Sequence, residues 1–141
     1  MRSIASSALI DTEGSETGPC TEDYRGTAAW SEPEVRALRD FVAARNLSVA
    51  VNIHSFGREL IIPFSCRSKK EPDHPDREFY RRMMGEIVAK TPGFDDKRGT
   101  KKDHYNWGQP WNSGLYTVNG DAADWMYSKH GVFAFSPEVG P

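Results

Sequence analysis

The stretch LSVAVNIH, residues 47–54, constrains the fold more than any other part of the chain. Val49, Val51 and Ile53 alternate with Ala50, Asn52 and His54, so the segment reads as a strand, and apolar side chains on both of its faces predict an interior place in a sheet. Just before it, Val35, Leu38, Phe41 and Val42 recur at three- and four-residue spacing as far as about Arg45, the stripe of an amphipathic helix. The helix start is written in Ser31 as a cap, Pro33 in the first turn and Glu34, which completes a capping box and suits the positive helix end. A helix running into a buried strand points to an α/β layer structure, provided the alternation continues.

It does continue. ELIIPF, residues 59–64, reads as a second strand, and Pro75 and Asp76 open a second helix. On that helix Phe79, Met83 and Ile87 alternate with Tyr80, Met84 and Val88 to give a broad stripe expected to be buried, ended by Thr91-Pro92-Gly93. Residues 94–119 are charged, Gly-rich and aromatic and follow neither period, so they read as a long surface loop of the kind that carries binding function. Tyr105, Trp107 and Trp111 either stack on a ligand there or pack the loop onto the body, whereas Trp125 and Met126 are expected in the core. A short helix over about 121–129, closed by Gly131, leads into VFAFSPE, residues 132–138, a strand that ends on Glu138. The Ser-, Thr- and Gly-rich residues 6–30 read as loop, long enough to suggest that the elements they pack against lie outside this sequence.

At 141 residues the chain is the size of one domain, burying roughly two-thirds of its unfolded surface. Hydrophobic residues at 38% and aromatics at 11% exclude a disordered chain. The 18 basic and 20 acidic residues are interspersed, which argues against a nucleic-acid footprint or a polybasic membrane patch, and DDKRGTKKD, residues 95–103, reads as a solvated loop. No apolar window approaches bilayer length, and MRSIASSALI is too short and polar for a signal peptide. Cys20 and Cys66 match no zinc-finger spacing and are either one bridge or two thiols.

His54 and Glu138 both close strands. In open α/β sheets, sites form beyond the carboxyl ends of the strands, which puts these two residues where chemistry is done. Taken alone, a histidine in that place is more often a hydrogen-bonded structural residue, since a zinc site needs three or four ligands.

Five segments in order, PCTEDYRG (19–26), SEPEVRALRDFV (31–42), IHSFG (53–57), LYTVNGDAADWMY (115–127) and FAFSPEVG (133–140), resemble the second half of the zinc metallocarboxypeptidases of the carboxypeptidase A type. The resemblance implies an α/β fold, a mixed sheet with flanking helices of the phosphorylase/hydrolase-like kind, truncated to its central and C-terminal part. Residues 1–18 would be an N-terminal loop segment and 19–141 a partial zinc carboxypeptidase domain. It also implies Zn2+ as cofactor, hydrolysis of the C-terminal peptide bond, peptide or protein C-termini as partners with no role for nucleic acid or membrane, and a secreted setting.

Residue by residue, the resemblance makes His54 the third zinc ligand and Glu138 the general base that takes a proton from water and passes it to the leaving amine. Tyr116 matches a mobile tyrosine that closes over the bound C-terminal residue. Ser55 follows the ligand where the backbone contacts substrate. Ala123 falls at the base of the specificity pocket, favouring apolar or aromatic side chains, and Asp121 lies near enough to tolerate Lys or Arg. Zinc on three protein ligands keeps a position open for water and lowers its pKa.

The sequence also departs from the family. The first two zinc ligands come from a His-x-x-Glu motif, and HSFG, HPDR, HYNW and HGVF, the segments opened by the four histidines, all lack it. The Asn-Arg pair and the further arginine that hold the substrate carboxylate have no counterpart, and Phe56 stands where many relatives have Tyr. The chain is therefore expected to begin after these groups, with zinc binding weak or absent on its own. Two further readings stay open: a non-catalytic carboxypeptidase-like binding module, and an inactive truncated gene product.

Overall fold

The computed structural model describes residues 14–66, 74–90, 106–110 and 116–140. In chain order the elements are α1 (Pro33–Ala43), β1 (Val49–Val51), β2 (Glu59–Ile61), α2 (Arg77–Lys90), β3 (Asn106–Gly108), α3 (Ala122–His130) and β4 (Phe133–Glu138). The strands form one mixed sheet in the order β1-β4-β2-β3, with β1 parallel to β4, β4 antiparallel to β2 and β2 parallel to β3. The last strand in sequence thus lies inside the sheet, flanked on both sides.

β4 divides the core. Ala134 packs with Val35 and Val42 of α1 and with Ala122, Ala123, Trp125 and Met126 of α3. Phe135, one residue on and so on the opposite face, packs with Leu60 and Ile62 near β2 and with Tyr80 and Met84 of α2. Among the described residues, α1 and α3 pack on one face and α2 on the other. Tyr80 is fully buried, and its hydroxyl donates to the Ala134 carbonyl at 3.0 Å, tying α2 to the central strand.

α3 forms where the sequence places it. Asp121 is its N-cap, accepting from Ala123 N, and Gly131 ends it in the left-handed region at φ 64°. Trp125 and Met126 are in the core.

Four expectations need correction. Ser31 does not cap α1: Glu32 occupies the N-cap without a side-chain cap bond, while Ser31 Oγ accepts from Thr27 N at 3.1 Å in the preceding turn. Among the described residues β1 lies at the edge of the sheet, not inside it. Among the described residues its only strand partner is β4, and its Val49, Val51 and Ile53 face is 49%, 52% and 68% exposed. The apolar stripe of α2 is narrower than its pattern suggests: Tyr80 and Met84 are buried, Met83, Ile87 and Val88 partly so, and Phe79 is exposed. Finally, residues 94–119 contain a strand, β3, whose three residues are too few to show a period and end in Gly108. Trp107 of β3 packs against the α2 side of the core. Tyr105 and Trp111 lie outside the described residues. Cys20 is an exposed thiol and Cys66 a half-buried one.

Candidate active site

Beyond Val51 the chain leaves regular β1 yet keeps its ladder with β4. Asn52 N donates to Phe135 O at 3.0 Å, His54 N to Pro137 O at 2.9 Å, and Val139 N to His54 O at 2.9 Å. With Val51 in register with Phe135, the next same-face positions are Asn52 beside Ser136 and His54 beside Glu138. Four polar side chains therefore share one face at the carboxyl ends of two parallel strands. His54 Nδ1 is 3.8 Å from Glu138 Oε1, with side chains 30% and 21% exposed, so both are sheltered but reachable. His54 Nε2 is 3.0 Å from the Asn52 amide.

After His54 the chain turns sharply through Ser55, Phe56 and Gly57, and the Ser55–Phe56 peptide is cis. A side chain would be crowded on both sides of this turn. A Cβ on Gly57 would meet Glu138 Cβ at 3.1 Å, and Gly140, at φ 148°, would put a Cβ 2.7 Å from Phe56 Cβ. The turn and the tail after β4 interlock over the two strand ends.

These residues form one wall of a cleft of about 290 Å³. Asn52, His54, Ser55, Phe56, Ser136 and Glu138 come from the strand ends, and Tyr116, Asp121 and Ala122 from the segment leading into α3. Gly14 and Asp23 of the early loop complete it. Gly14 sits so close to Thr117 and Val118 that a Cβ there would lie 2.5 Å from Thr117 O, which fixes the early loop against the cleft rim. Asp23, Asp121 and Glu138 line the cleft and no Lys or Arg among the described residues does, so its field is anionic.

The segment before α3 is held by a small polar network. Ser65 N donates to both Asp124 carboxylate oxygens at 3.0 and 2.8 Å, Ser65 Oγ donates to Asp121 Oδ2 at 2.8 Å, and Val118 N donates to Ser65 O at 3.0 Å. Tyr116, just outside this anchor, is 76% exposed at the cleft mouth.

Of the six residues singled out in the sequence, five line this cleft: His54, Ser55, Tyr116, Asp121 and Glu138. Ala123 does not. It is 1% exposed and faces the core beside Trp125, while Ala122 lines the cleft. Both alanines belong to the same buried cluster, and of the two Ala122 also reaches the cleft. Sequence reasoning gave no role to Asn52, Ser136, Ser65 or Asp23. Asn52 and Ser136 each precede a singled-out residue by the two-residue strand repeat, but only the register brings them together.

A family model of zinc carboxypeptidases matches residues 7–141. The chain belongs to the zinc carboxypeptidase family. Human mast cell carboxypeptidase A is 33% identical over 122 residues, which is 83% of this chain and 27% of that protein. Mouse carboxypeptidase A1 is 28% identical over 133 residues, 94% of this chain and 29% of that protein. Among solved structures, bovine thrombin-activatable fibrinolysis inhibitor in complex with tick carboxypeptidase inhibitor aligns over 92% of this chain and 41% of its own, with a TM-score of 0.71 and 26% identity. Carboxypeptidase A from Helicoverpa armigera, at 20% identity and TM-score 0.71, shares the fold. This zinc carboxypeptidase chain spans less than a third of the length of the curated relatives it matches.

Membership implies Zn2+, and the donor set tests that directly. Catalytic zinc takes three protein ligands. No group of three or more His, Cys, Asp or Glu side chains converges among the described residues. His54 and Glu138 form a pair, and Asn52 occupies the other side of the imidazole. The described residues of this zinc carboxypeptidase therefore do not fit a zinc ion by themselves, and any complete centre needs donors from outside them.

Proposed function

We propose that this chain supplies the base-bearing wall of the active-site cleft of a metallocarboxypeptidase that hydrolyses the C-terminal peptide bond of peptides and proteins. The observation that carries this reading is the pairing of His54 with Glu138, side by side at the ends of parallel strands, in a chain of this family. Glu138 is the general base. It takes a proton from the attacking water and gives it to the departing amine, work that needs a carboxylate within hydrogen-bond reach of both. His54 is one ligand of the zinc centre, whose other donors lie outside the described residues.

Tyr116, exposed at the cleft mouth, closes over the substrate's terminal residue and donates a hydrogen bond. The backbone at Ser55 contacts the peptide. Asp121, and Ala123 behind Ala122, shape the pocket for the terminal side chain; the anionic lining admits Lys or Arg there beside apolar groups. The partners are free C-termini of peptides and proteins in an extracellular setting. No helix among the described residues is long and apolar enough to cross a membrane.

The test is direct. A folded polypeptide that carries this sequence, supplied with zinc, releases single residues from the C-terminus of a peptide with a blocked N-terminus. A folded, zinc-supplied protein that leaves those C-termini intact overturns the reading.

A further inference from the structure

We propose that Asn119-Gly120 is a modification site, at which Asn119 converts without an enzyme to isoaspartate and aspartate. Of the five asparagines in the chain, Asn119 alone is followed by glycine. An Asn-Gly pair marks a turn, and the glycine has no side chain to shield its main-chain nitrogen. The structure leaves that nitrogen open. Both residues are half-buried in the irregular segment before α3 and line the cleft, where water reaches them. Gly120 is in the left-handed region at φ 71°, and among the described residues no acceptor takes its N–H. No hydrogen bond has to break before that nitrogen reacts.

The chemistry needs only water. The Gly120 nitrogen gives up its proton to solvent base and attacks Asn119 Cγ, closing a five-membered ring. A C–N bond forms, the Cγ–Nδ2 bond breaks, and the amide nitrogen leaves as ammonia. Water then opens the imide. Its attack at Cγ gives aspartate; its attack at the main-chain carbonyl carbon of Asn119 gives isoaspartate, in which the main chain runs through Cγ. One amide is exchanged for one carboxylate, and nothing is oxidised or reduced.

The position of the pair gives the change its effect. Asp23, Asp121 and Glu138 already line the cleft, and either product adds a further carboxylate to that lining. The loop is also pinned at both ends to one residue: Val118 N donates to Ser65 O at 3.0 Å, and Ser65 Oγ donates to Asp121 Oδ2 at 2.8 Å. Isoaspartate puts one more carbon into the main chain between those two anchors. It draws Asp121 away from Ser65 and from Ala123 N, which it caps at 3.1 Å. The modification is independent of the proposed hydrolysis.

The full chain, shown folded by its backbone amide spectra, is incubated at mildly alkaline pH, and its peptides are mapped by mass spectrometry after labelling with an isoaspartate methyltransferase. Asn119 is expected to convert several-fold faster than the other four asparagines, with the label confined to its peptide. Asn119→Gln, whose larger ring closes far more slowly, and Gly120→Ala, whose methyl shields the nitrogen, are expected to lose the label. An Asn119 that stays intact in the folded chain and converts only in urea overturns the proposal, and so does a label that persists in Asn119→Gln. The isoaspartate form, separated by ion exchange, is expected to unfold at lower urea than Asn119→Asp, which carries the charge without the extra carbon. Equal midpoints overturn the effect on the Asp121 cap.

Discussion

His54 Nδ1 lies 3.8 Å from Glu138 Oε1 because the two residues are neighbours in a parallel ladder that outlasts the regular strand. Their meeting depends on register. A slip of one position on either strand would send one side chain to the opposite face of the sheet. The register is set by the β1 and β4 pairing from Val49 with Phe133 to Val51 with Phe135, and is locked beyond it by the bonds of Asn52, His54 and Val139. The candidate base and its imidazole neighbour are thus placed by backbone hydrogen bonds, and the side chains need little further ordering.

Asp121 has a structural duty as well as a place in the cleft. One carboxylate oxygen caps α3 through Ala123 N and the other accepts from Ser65 Oγ. Asp121→Ala removes the cap and leaves the Ser65 hydroxyl without that acceptor, a loss of about 1–3 kcal/mol. Asp121→Asn, which retains a capping oxygen, should lose less. Urea unfolding of the two variants checks the order, and equal stability for Asp121→Ala and the parent would remove Asp121 as the cap.

Gly140→Ala should destabilise more than Gly57→Ala. The first places a Cβ at φ 148° and 2.7 Å from Phe56 Cβ, while the second needs Glu138 to give way by only a few tenths of an ångström from a 3.1 Å contact. Backbone strain of that kind amounts to about 1–3 kcal/mol. Gly57→Ala, in contrast, should show mainly in turnover, up to about tenfold, because it displaces Glu138. Thermal melts and rates measured on both variants separate the two effects.

Much of this architecture was legible in the sequence, and the failures share a cause. The α3 cap and stop at Asp121 and Gly131, the core assignment of Trp125 and Met126, and the ends of β4 follow from local chemistry that the rest of the fold does not override. The edge position of β1 was not legible. Alternating Val49, Val51 and Ile53 report that a face is apolar, and say nothing of whether anything covers it. β3 was hidden because three residues hold too little pattern and take their strand state from pairing with β2. In the site, His54 and Glu138 were visible as residues that end strands, whereas Asn52 and Ser136 become meaningful only once the register sets them side by side.

Alkaline pH should weaken the fold through Tyr80. Burial first, then the neighbouring Tyr127, Asp76 and Asp124 charges, push its phenol well above the ordinary value of 10.0. The phenol of the unfolded chain ionises first, so the Tyr80 contribution is complete below about pH 10 and is lost as pH rises from there toward the folded value. Tyr127 is raised in the same direction, by burial and by its bond to Asp76. Tyr80→Phe flattens this alkaline fall. It also strips the buried Ala134 carbonyl of its phenol partner, at about 1–3 kcal/mol near neutral pH. Stability measured by urea titration from pH 7 to 11 resolves both effects.

Ile53 is 68% exposed on the uncovered face of β1, beside Val49 and Val51. Ile53→Thr removes little buried surface and should change stability by less than about 0.5 kcal/mol. It reduces an exposed apolar row on an edge strand, a feature that favours self-association. Sedimentation velocity should show less association for the variant at equal concentration, and a loss of stability beyond about 1 kcal/mol would mean that this face is covered.

The most direct measurement is the rate of C-terminal residue release by a zinc-supplied polypeptide carrying this sequence, compared with the same polypeptide bearing Glu138→Gln. The amide fills the space of the carboxylate but cannot accept the proton, so the rate should fall by about 10²- to 10⁴-fold with the fold intact. A variant that releases C-terminal residues at a near-normal rate would contradict the assignment of Glu138 as the base, and with it the account of this cleft.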